Sequence, residues 1–223
     1  MKSVLLGLML TGAALIPGEM ARAASIPVFS TGVVSPGVLQ ADGLPDLHYT
    51  LTSAPAGVST GSVFVTDQGG FPFPFWAADD SNSKWVSPQP SYNNSQTDPP
   101  GTFVYTTTFS LDGLLPSTAS LVFELGTDNA TVDVLLNGVS TGITYVGFGS
   151  LSSPFTIDTG FTTGTNTLTF DTLNYAGTIG NPAGLRVSIT GTAAATPEPA
   201  SAALVIVAAG LFGVWIARRK IAA

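Results

Sequence analysis

Residues 103–109 read Phe-Val-Tyr-Thr-Thr-Thr-Phe, an alternating run that ends in a Leu-Asp-Gly turn at 111–113. Six further runs of four to seven residues follow, each rich in Val, Thr, Phe, Ile and Leu and bounded by Gly, Asn, Asp or Pro. We predict strands at 120–125, 131–136, 142–145, 155–158, 167–171 and 185–190. Many short strands separated by turn residues are typical of an antiparallel β-sandwich, and no helical period interrupts them. The sequence therefore predicts an all-β fold.

The preceding part of the chain continues this pattern less regularly. Residues 48–51 and 61–66 are predicted strands, because apolar and polar residues alternate there. Residues 25–43 hold short apolar runs between Gly and Pro residues, which indicates an edge strand and turns. Together these segments place the folded domain at 24–195.

The later part of the predicted domain contains a hairpin motif between two other turn-like motifs. Asn137-Gly138 lies between two apolar runs, which strongly favours a two-residue hairpin turn. Asp128-Asn129 precedes it, and Gly-Thr-Asn-Thr-Leu follows at 164–168. In this order the pieces resemble the galactose-binding-like jelly-roll family over residues 103–190. The resemblance implies a two-sheet jelly roll with ligand or Ca²⁺ sites on loops at one end, and sugar binding in some members only.

Residues 67–101 form an unusual segment that supplies the candidate ligand site. Six prolines exclude a central strand through most of it, and so long a loop is usually functional or covers a core edge. Aromatic rings can stack on sugar rings while Asp and Asn reach their hydroxyl groups. The candidate binding residues are Trp76, Trp85, Tyr92, Asp79, Asp80 and Asn82. The alternative is that Trp76 and Trp85 fill the core, since large aromatic side chains are mostly buried.

The same loop offers the one candidate cofactor, Ca²⁺. Asp79, Asp80, Ser81 and Asn82 are oxygen donors of the kind that Ca²⁺ prefers, although their spacing is not that of an EF-hand. A plain Asx-rich turn is the alternative. We predict no other cofactor.

Composition argues against enzymatic chemistry and against nucleic-acid binding. The chain has a single histidine, His48, and no cysteine, so it lacks a Cys-His pair and a multi-His zinc site. Within 24–195, Lys84 and Arg186 stand against twelve acidic residues, a net charge of −10. Such a domain is repelled by nucleic acids and by anionic lipid surfaces. A polysaccharide hydrolase remains an alternative, because two of the twelve acidic residues could act as its carboxylate pair if they line a groove beside the aromatic loop.

The N-terminal residues 1–23 read as a signal peptide. Lys2 precedes an apolar run at 4–16, and Ala21-Arg-Ala23 provides small residues at the two positions that signal peptidase reads. We predict cleavage after Ala23, with Ala24 as the near alternative, and export across the inner membrane.

The C-terminal residues 196–223 contain a membrane-targeting pattern. Pro197-Glu198-Pro199 precedes an uncharged stretch at 200–217, and Arg218, Arg219 and Lys220 follow it. As a helix, the stretch would be about 27 Å long at ~1.5 Å per residue, close to the thickness of a bilayer core. The basic cluster would then stay in the cytoplasm. We therefore predict a single transmembrane helix; a buried core helix is the alternative.

In order, spacing and position, this tail resembles the PEP-CTERM sorting tail of exported proteins from Gram-negative bacteria. The resemblance implies processing by an exosortase near Pro197-Glu198-Pro199 and an association with exopolysaccharide. The resulting hypothesis is a non-enzymatic protein that is membrane-anchored before processing and then lies at the cell surface or in the extracellular matrix. Exopolysaccharide is its candidate ligand. The alternatives are the secreted hydrolase and a purely structural surface-coat protein.

Overall fold

Thirteen strands and one short 3₁₀ helix, Pro116–Thr118, make up the regular structure of residues 22–196, the part of the chain that the computed structural model describes. The strands are β1 (Ala23–Ser25), β2 (Val33–Ser35), β3 (Val38–Leu39), β4 (Pro45–Ser53), β5 (Gly61–Val65), β6 (Val86–Ser87), β7 (Gly101–Ser110), β8 (Ser120–Leu136), β9 (Val139–Ser140), β10 (Tyr145–Gly147), β11 (Phe155–Ile157), β12 (Thr165–Asn174) and β13 (Gly184–Ala194). All their pairings are antiparallel, so the predicted all-β class is confirmed.

The long strand β8 organises the sandwich. Its first half, from Ser120 to Asp128, pairs with β13, and its second half, from Ala130 to Leu136, pairs with β12. The pairing runs from β13 through β6, β5, β4, β7 and β12 to β8, which pairs with β13 again. The two predicted strands at 120–125 and 131–136 are therefore one strand. That prediction was wrong because the chain changes partner around Asp128 without making a turn.

Alternation along the central strands builds the core. In β7, Phe103 and Tyr105 are buried, while the intervening residues face outward. In β12, Leu168 and Phe170 are buried in the same way. Phe123 of β8 meets Phe170 edge to face, with 6.1 Å between ring centroids. Because the two rings come from different halves of the strand circuit, this contact lies between its two layers.

The predicted hairpin at Asn137-Gly138 is confirmed. Asn137 (φ 53°) and Gly138 (φ 78°) both adopt positive φ angles, as a type I′ turn requires, and Leu136 pairs with Val139. The Asn137 side chain donates to Asn166 Oδ1 at 2.8 Å and accepts from the Thr167 amide at 2.9 Å. The Asn-Gly turn and the segment at 164–168 therefore meet in one hydrogen-bonded corner.

The two ends of the described domain lie side by side. Ala23 in β1 pairs with Ala194 in β13. Thr196 still donates its amide hydrogen to the Gly113 carbonyl at 2.9 Å. The predicted edge strand in 25–43 is β1, which begins before that segment, together with the small hairpin β2–β3.

None of the helical structure in residues 22–196 is long and apolar enough to cross a membrane. The transmembrane helix predicted at 200–217 lies outside the described residues, as do Pro197, Glu198, Pro199, Arg218, Arg219 and Lys220. The same holds for Ala21 and the rest of the predicted signal peptide up to that residue.

The interlayer contact gives a test of the fold. Phe170→Ala should lower the free energy of unfolding by about 3–5 kcal/mol, because it removes a fully buried ring from the core. Thr108→Ala, on the exposed face of neighbouring β7, should change it by less than about 0.5 kcal/mol. Urea unfolding measures both values. Equal effects would contradict the placement of Phe170 between the layers.

Candidate functional site

The aromatic loop buries its two tryptophans. Trp76 is 2% exposed and Trp85 is fully buried, and their rings lie 4.3 Å apart. Trp85 packs on Gly126 and Trp76 on Gly184, where a Cβ atom would come within 2.9 and 2.1 Å of the respective indoles. The rings fit only because both strands carry glycine at these positions. Trp76 and Trp85 therefore fill the core, which was the alternative to a sugar-binding role.

Tyr92 is also buried, at 7% exposure, and anchors the end of the loop. Its hydroxyl donates to Asp98 at 2.6 Å. Asp98 also accepts from the Gln89 side chain and the Ala183 amide, both at 2.8 Å. These bonds tie the loop to the start of β13, and they occupy the groups that would have met a sugar.

The turn containing Asp79, Asp80 and Asn82 is built around Arg186. Asp80 accepts from the amides of Asn82 and Ser83 at 2.7 and 3.0 Å, and its second oxygen lies 2.8 Å from the Arg186 guanidinium. Asp79 accepts from the Trp85 amide at 3.0 Å. These are the contacts of an Asx turn closed by an ion pair.

This arrangement does not fit a Ca²⁺ ion. A guanidinium already neutralises the Asp80 carboxylate and would repel a second cation, and burial raises the pKa of Asp79 to about 6. Within residues 22–196, no group of three or more acidic or histidine side chains is arranged to hold a metal. The contacts of Asp79 and Asp80 favour the alternative interpretation, a plain Asx-rich turn without a bound cation.

A cleft beside the buried tryptophans is the part of the loop that faces solvent, and we call it the aromatic cleft. It has a volume of about 280 Å³. Its lining includes Phe71, Phe75, Trp76, Asp128, Phe148 and Pro182. Phe75 is the most exposed of the aromatic side chains there, at 65%. Trp76 was predicted from the sequence as a site residue, whereas Phe71, Phe75, Phe148 and Asp128 were not.

Backbone hydrogen bonds hold the walls of the aromatic cleft together. The Trp76 amide donates to the Pro72 carbonyl at 3.3 Å, which folds residues 72–76 into a tight turn. The Ala77 amide donates to the Phe148 carbonyl at 2.7 Å and so joins this turn to the loop after β10. A backbone-to-side-chain bond holds the loop after β12, whose Tyr175 amide donates to Asn129 Oδ1 at 2.7 Å. Three separate loops therefore meet around Asp128.

Among the described residues that line the cleft, Asp128 is the one charged group. One of its oxygens accepts from Trp76 Nε1 at 2.8 Å and the other from Asn129 Nδ2 at 2.6 Å. Burial raises the pKa of Asp128 to about 6, the Trp76 hydrogen bond opposes that rise, and the nearby charge of Asp98 adds to it. The carboxylate is thus held in place and poorly hydrated, and at pH 7 it is mostly ionised because its pKa is about 6.

A larger cleft of about 560 Å³ lies between residues 57–64 and 88–99. It is more polar, and hydroxyl and amide groups line it, among them Ser59, Thr60 and Gln89. Its carboxylate, Asp98, already accepts three internal hydrogen bonds. The aromatic cleft combines apolar rings with a less fully bonded acid, so it is the stronger candidate despite its smaller volume.

No protein-family model and no curated protein sequence matches this chain.

The raised pKa of Asp128 predicts a pH-dependent stability. Below about pH 4 the acid is neutral in both the folded and the unfolded chain, where the pKa of Asp is about 3.9. Between the two pKa values the folded protein binds the proton more tightly, so ionisation lowers the free energy of unfolding as the pH rises. From pH 4 to pH 7 the loss should be roughly 2 kcal/mol for this group.

Asp128→Asn should remove that part of the pH dependence, and Asp112→Asn, at an exposed position, should leave it unchanged. Urea unfolding of the three proteins at pH 4 and pH 7 measures the difference. An unchanged pH slope in the Asp128→Asn protein would show that this carboxyl is not buried as described.

Proposed function

We propose that this chain is an exported, non-enzymatic protein of the Gram-negative cell envelope, sorted by an exosortase through its C-terminal tail. A signal peptide cut by signal peptidase leads it across the inner membrane. The stretch at 200–217 then holds it in that membrane until processing near Pro197-Glu198-Pro199 passes it to the cell surface or the extracellular matrix. Exopolysaccharide is its proposed ligand there.

The observation that carries this proposal is the match between the processing signals and the limits of the folded domain. The compact unit runs from Ala23 to Thr196. The predicted signal-peptide cut falls after its first residue, and Pro197 directly follows its last. Cleavage at either end would therefore leave the core strands intact. A loss of Ala23 costs only one residue of the edge strand β1.

The closed strand circuit supports a jelly roll, the finer form of the sandwich. Two of the three motifs that carry the galactose-binding-like resemblance, the Asn-Gly turn and the segment at 164–168, meet through Asn137 and Asn166. The third motif, Asp128-Asn129, falls at the crossover of β8 near the other end of β12, where Asp128 lines the aromatic cleft. The position of this third motif supports a ligand site around Asp128.

The aromatic cleft is our proposed contact with polysaccharide, in place of the buried rings of Trp85 and Tyr92. Exposed aromatic faces next to a hydrogen-bond acceptor suit a sugar ring, and Phe75 and Asp128 provide these two elements. The cleft is small enough that one sugar unit of a chain would fill it.

A second candidate function is a purely structural surface-coat protein. The burial of Trp76 and Trp85 favours it, because such a protein needs its large aromatic residues in the core. In that case the aromatic cleft would be a packing feature and the protein would bind no sugar.

The sorting proposal predicts that replacing Pro197-Glu198-Pro199 by three alanines leaves an uncut form in the membrane fraction. The reason is that the exosortase would no longer find its signal. Pro36→Ala, in the exposed turn between β2 and β3, is the control and should be processed normally. Fractionation with intact mass measurement reads both outcomes. Normal release of the alanine variant would refute exosortase sorting.

The ligand proposal predicts that Phe75→Ala reduces co-sedimentation with the exopolysaccharide of the producing cells by about threefold or more, since stacking on an aromatic ring is lost. Val139→Ala, which is similarly exposed at 69% but lies in the β8–β9 hairpin, should have no effect. If the unaltered protein and the Val139→Ala control both fail to bind, the structural-coat function is favoured instead.

A further inference from the structure

The Asp128 carboxylate has acceptor capacity left over. A carboxylate offers about four lone-pair positions, and within residues 22–196 two donors, Trp76 Nε1 and Asn129 Nδ2, reach this one. The side chain is 6% exposed and lines the aromatic cleft. A ligand in the cleft can therefore reach the acid, while bulk water has little access to it.

Among residues 22–196, the negative charge at this position has no ion-pair partner. Among residues 22–196, Lys84 pairs with Asp42 and Arg186 pairs with Asp80, and no basic side chain forms an ion pair with Asp128. The charge that shifts its pKa is that of another acid, Asp98. A buried carboxylate is costly without a counter-charge, so a cationic ligand would relieve that cost.

The rest of the lining decides which kind of cation fits. Phe71 and Phe75 meet edge to face with 6.3 Å between ring centroids, and Phe148 and Trp76 add two more aromatic side chains. A metal such as Ca²⁺ needs six or more oxygen ligands, which this lining does not supply. Aromatic faces instead attract alkylammonium groups through cation–π interactions.

We propose that the aromatic cleft binds an organic ammonium group, with the aromatic rings around the cation and the Asp128 carboxylate as its counter-ion. The volume of about 280 Å³ suits a single small group rather than an extended ligand. If the polymer of the proposed function supplies this group, it is an amino sugar with a free amine. That last identification rests on the proposed function, whereas the ammonium site itself does not.

The test uses three probes at pH 7.5 and 150 mM salt: choline, a glucosamine tetramer and its fully N-acetylated counterpart. At this pH, above the pKa of about 6, Asp128 is ionised. Isothermal titration calorimetry on the released protein should show binding of choline and of the glucosamine tetramer. The N-acetylated tetramer has no cation and should bind at least about tenfold more weakly.

Two variants that remove the same charge separate the site from general attraction to an acidic protein. Asp128→Asn should weaken ammonium binding by about tenfold or more, whereas Asp112→Asn should leave it within about twofold. Phe75→Ala, at an exposed position where folding is not at risk, should weaken it a few-fold through loss of the cation–π contact.

Equal binding of the acetylated and free-amine tetramers would overturn the ammonium site and leave polysaccharide binding standing. Equal effects of Asp128→Asn and Asp112→Asn would overturn it as well, because attraction would then come from net charge alone. Failure of all three probes to bind would also overturn it. None of these results bears on the sorting proposal, which the mass of the processed chain decides separately.

Discussion

The structure depends on one strand that belongs to both layers. β8 pairs with β13 as far as Asp128 and with β12 from Ala130. One continuous strand is therefore hydrogen-bonded to both layers and joins them. One extra residue in β8, Val132, lies between the pairs Asp133–Asp171 and Thr131–Thr172. A bulge of this kind bends a strand and increases its twist.

The aromatic cleft is a consequence of the same crossover. Asp128 lies at the last pair with β13, opposite Gly184, and the missing side chain there admits the Trp76 ring. Trp76 in turn fixes the carboxylate through its indole nitrogen. The only two basic residues of 24–195 are used elsewhere, Arg186 in the turn at 79–83 and Lys84 with Asp42. An acidic domain with its cations already paired thus keeps the buried Asp128 carboxylate at the aromatic cleft without a counter-charge among the described residues.

The alternating runs were enough to predict the fold class, because strand burial is a local pattern. Residues 103–109 and 185–190 lie in β7 and β13, and 155–157 of the predicted 155–158 form β11. The Asn137-Gly138 turn was predictable for the same reason. The continuity of β8 was not, since Asp128-Asn129 reads as turn chemistry and only pairing with distant strands keeps it extended. The residues of the aromatic cleft could be predicted only in part from the sequence. Phe-Pro-Phe-Pro-Phe-Trp at 71–76 marks one wall, but Phe148 and Asp128 join it through tertiary contacts that have no local signal.

We propose that the sandwich is the mature product of an exported precursor. The intact mass of the protein recovered from the membranes and the medium of the cells that produce it tests this proposal. We expect a species outside the membrane that begins at Ala24 or Ser25 and ends close to Thr196. A species that stays in the membrane and retains residues 200–223 would contradict it, and the chain would then be a permanently anchored surface domain.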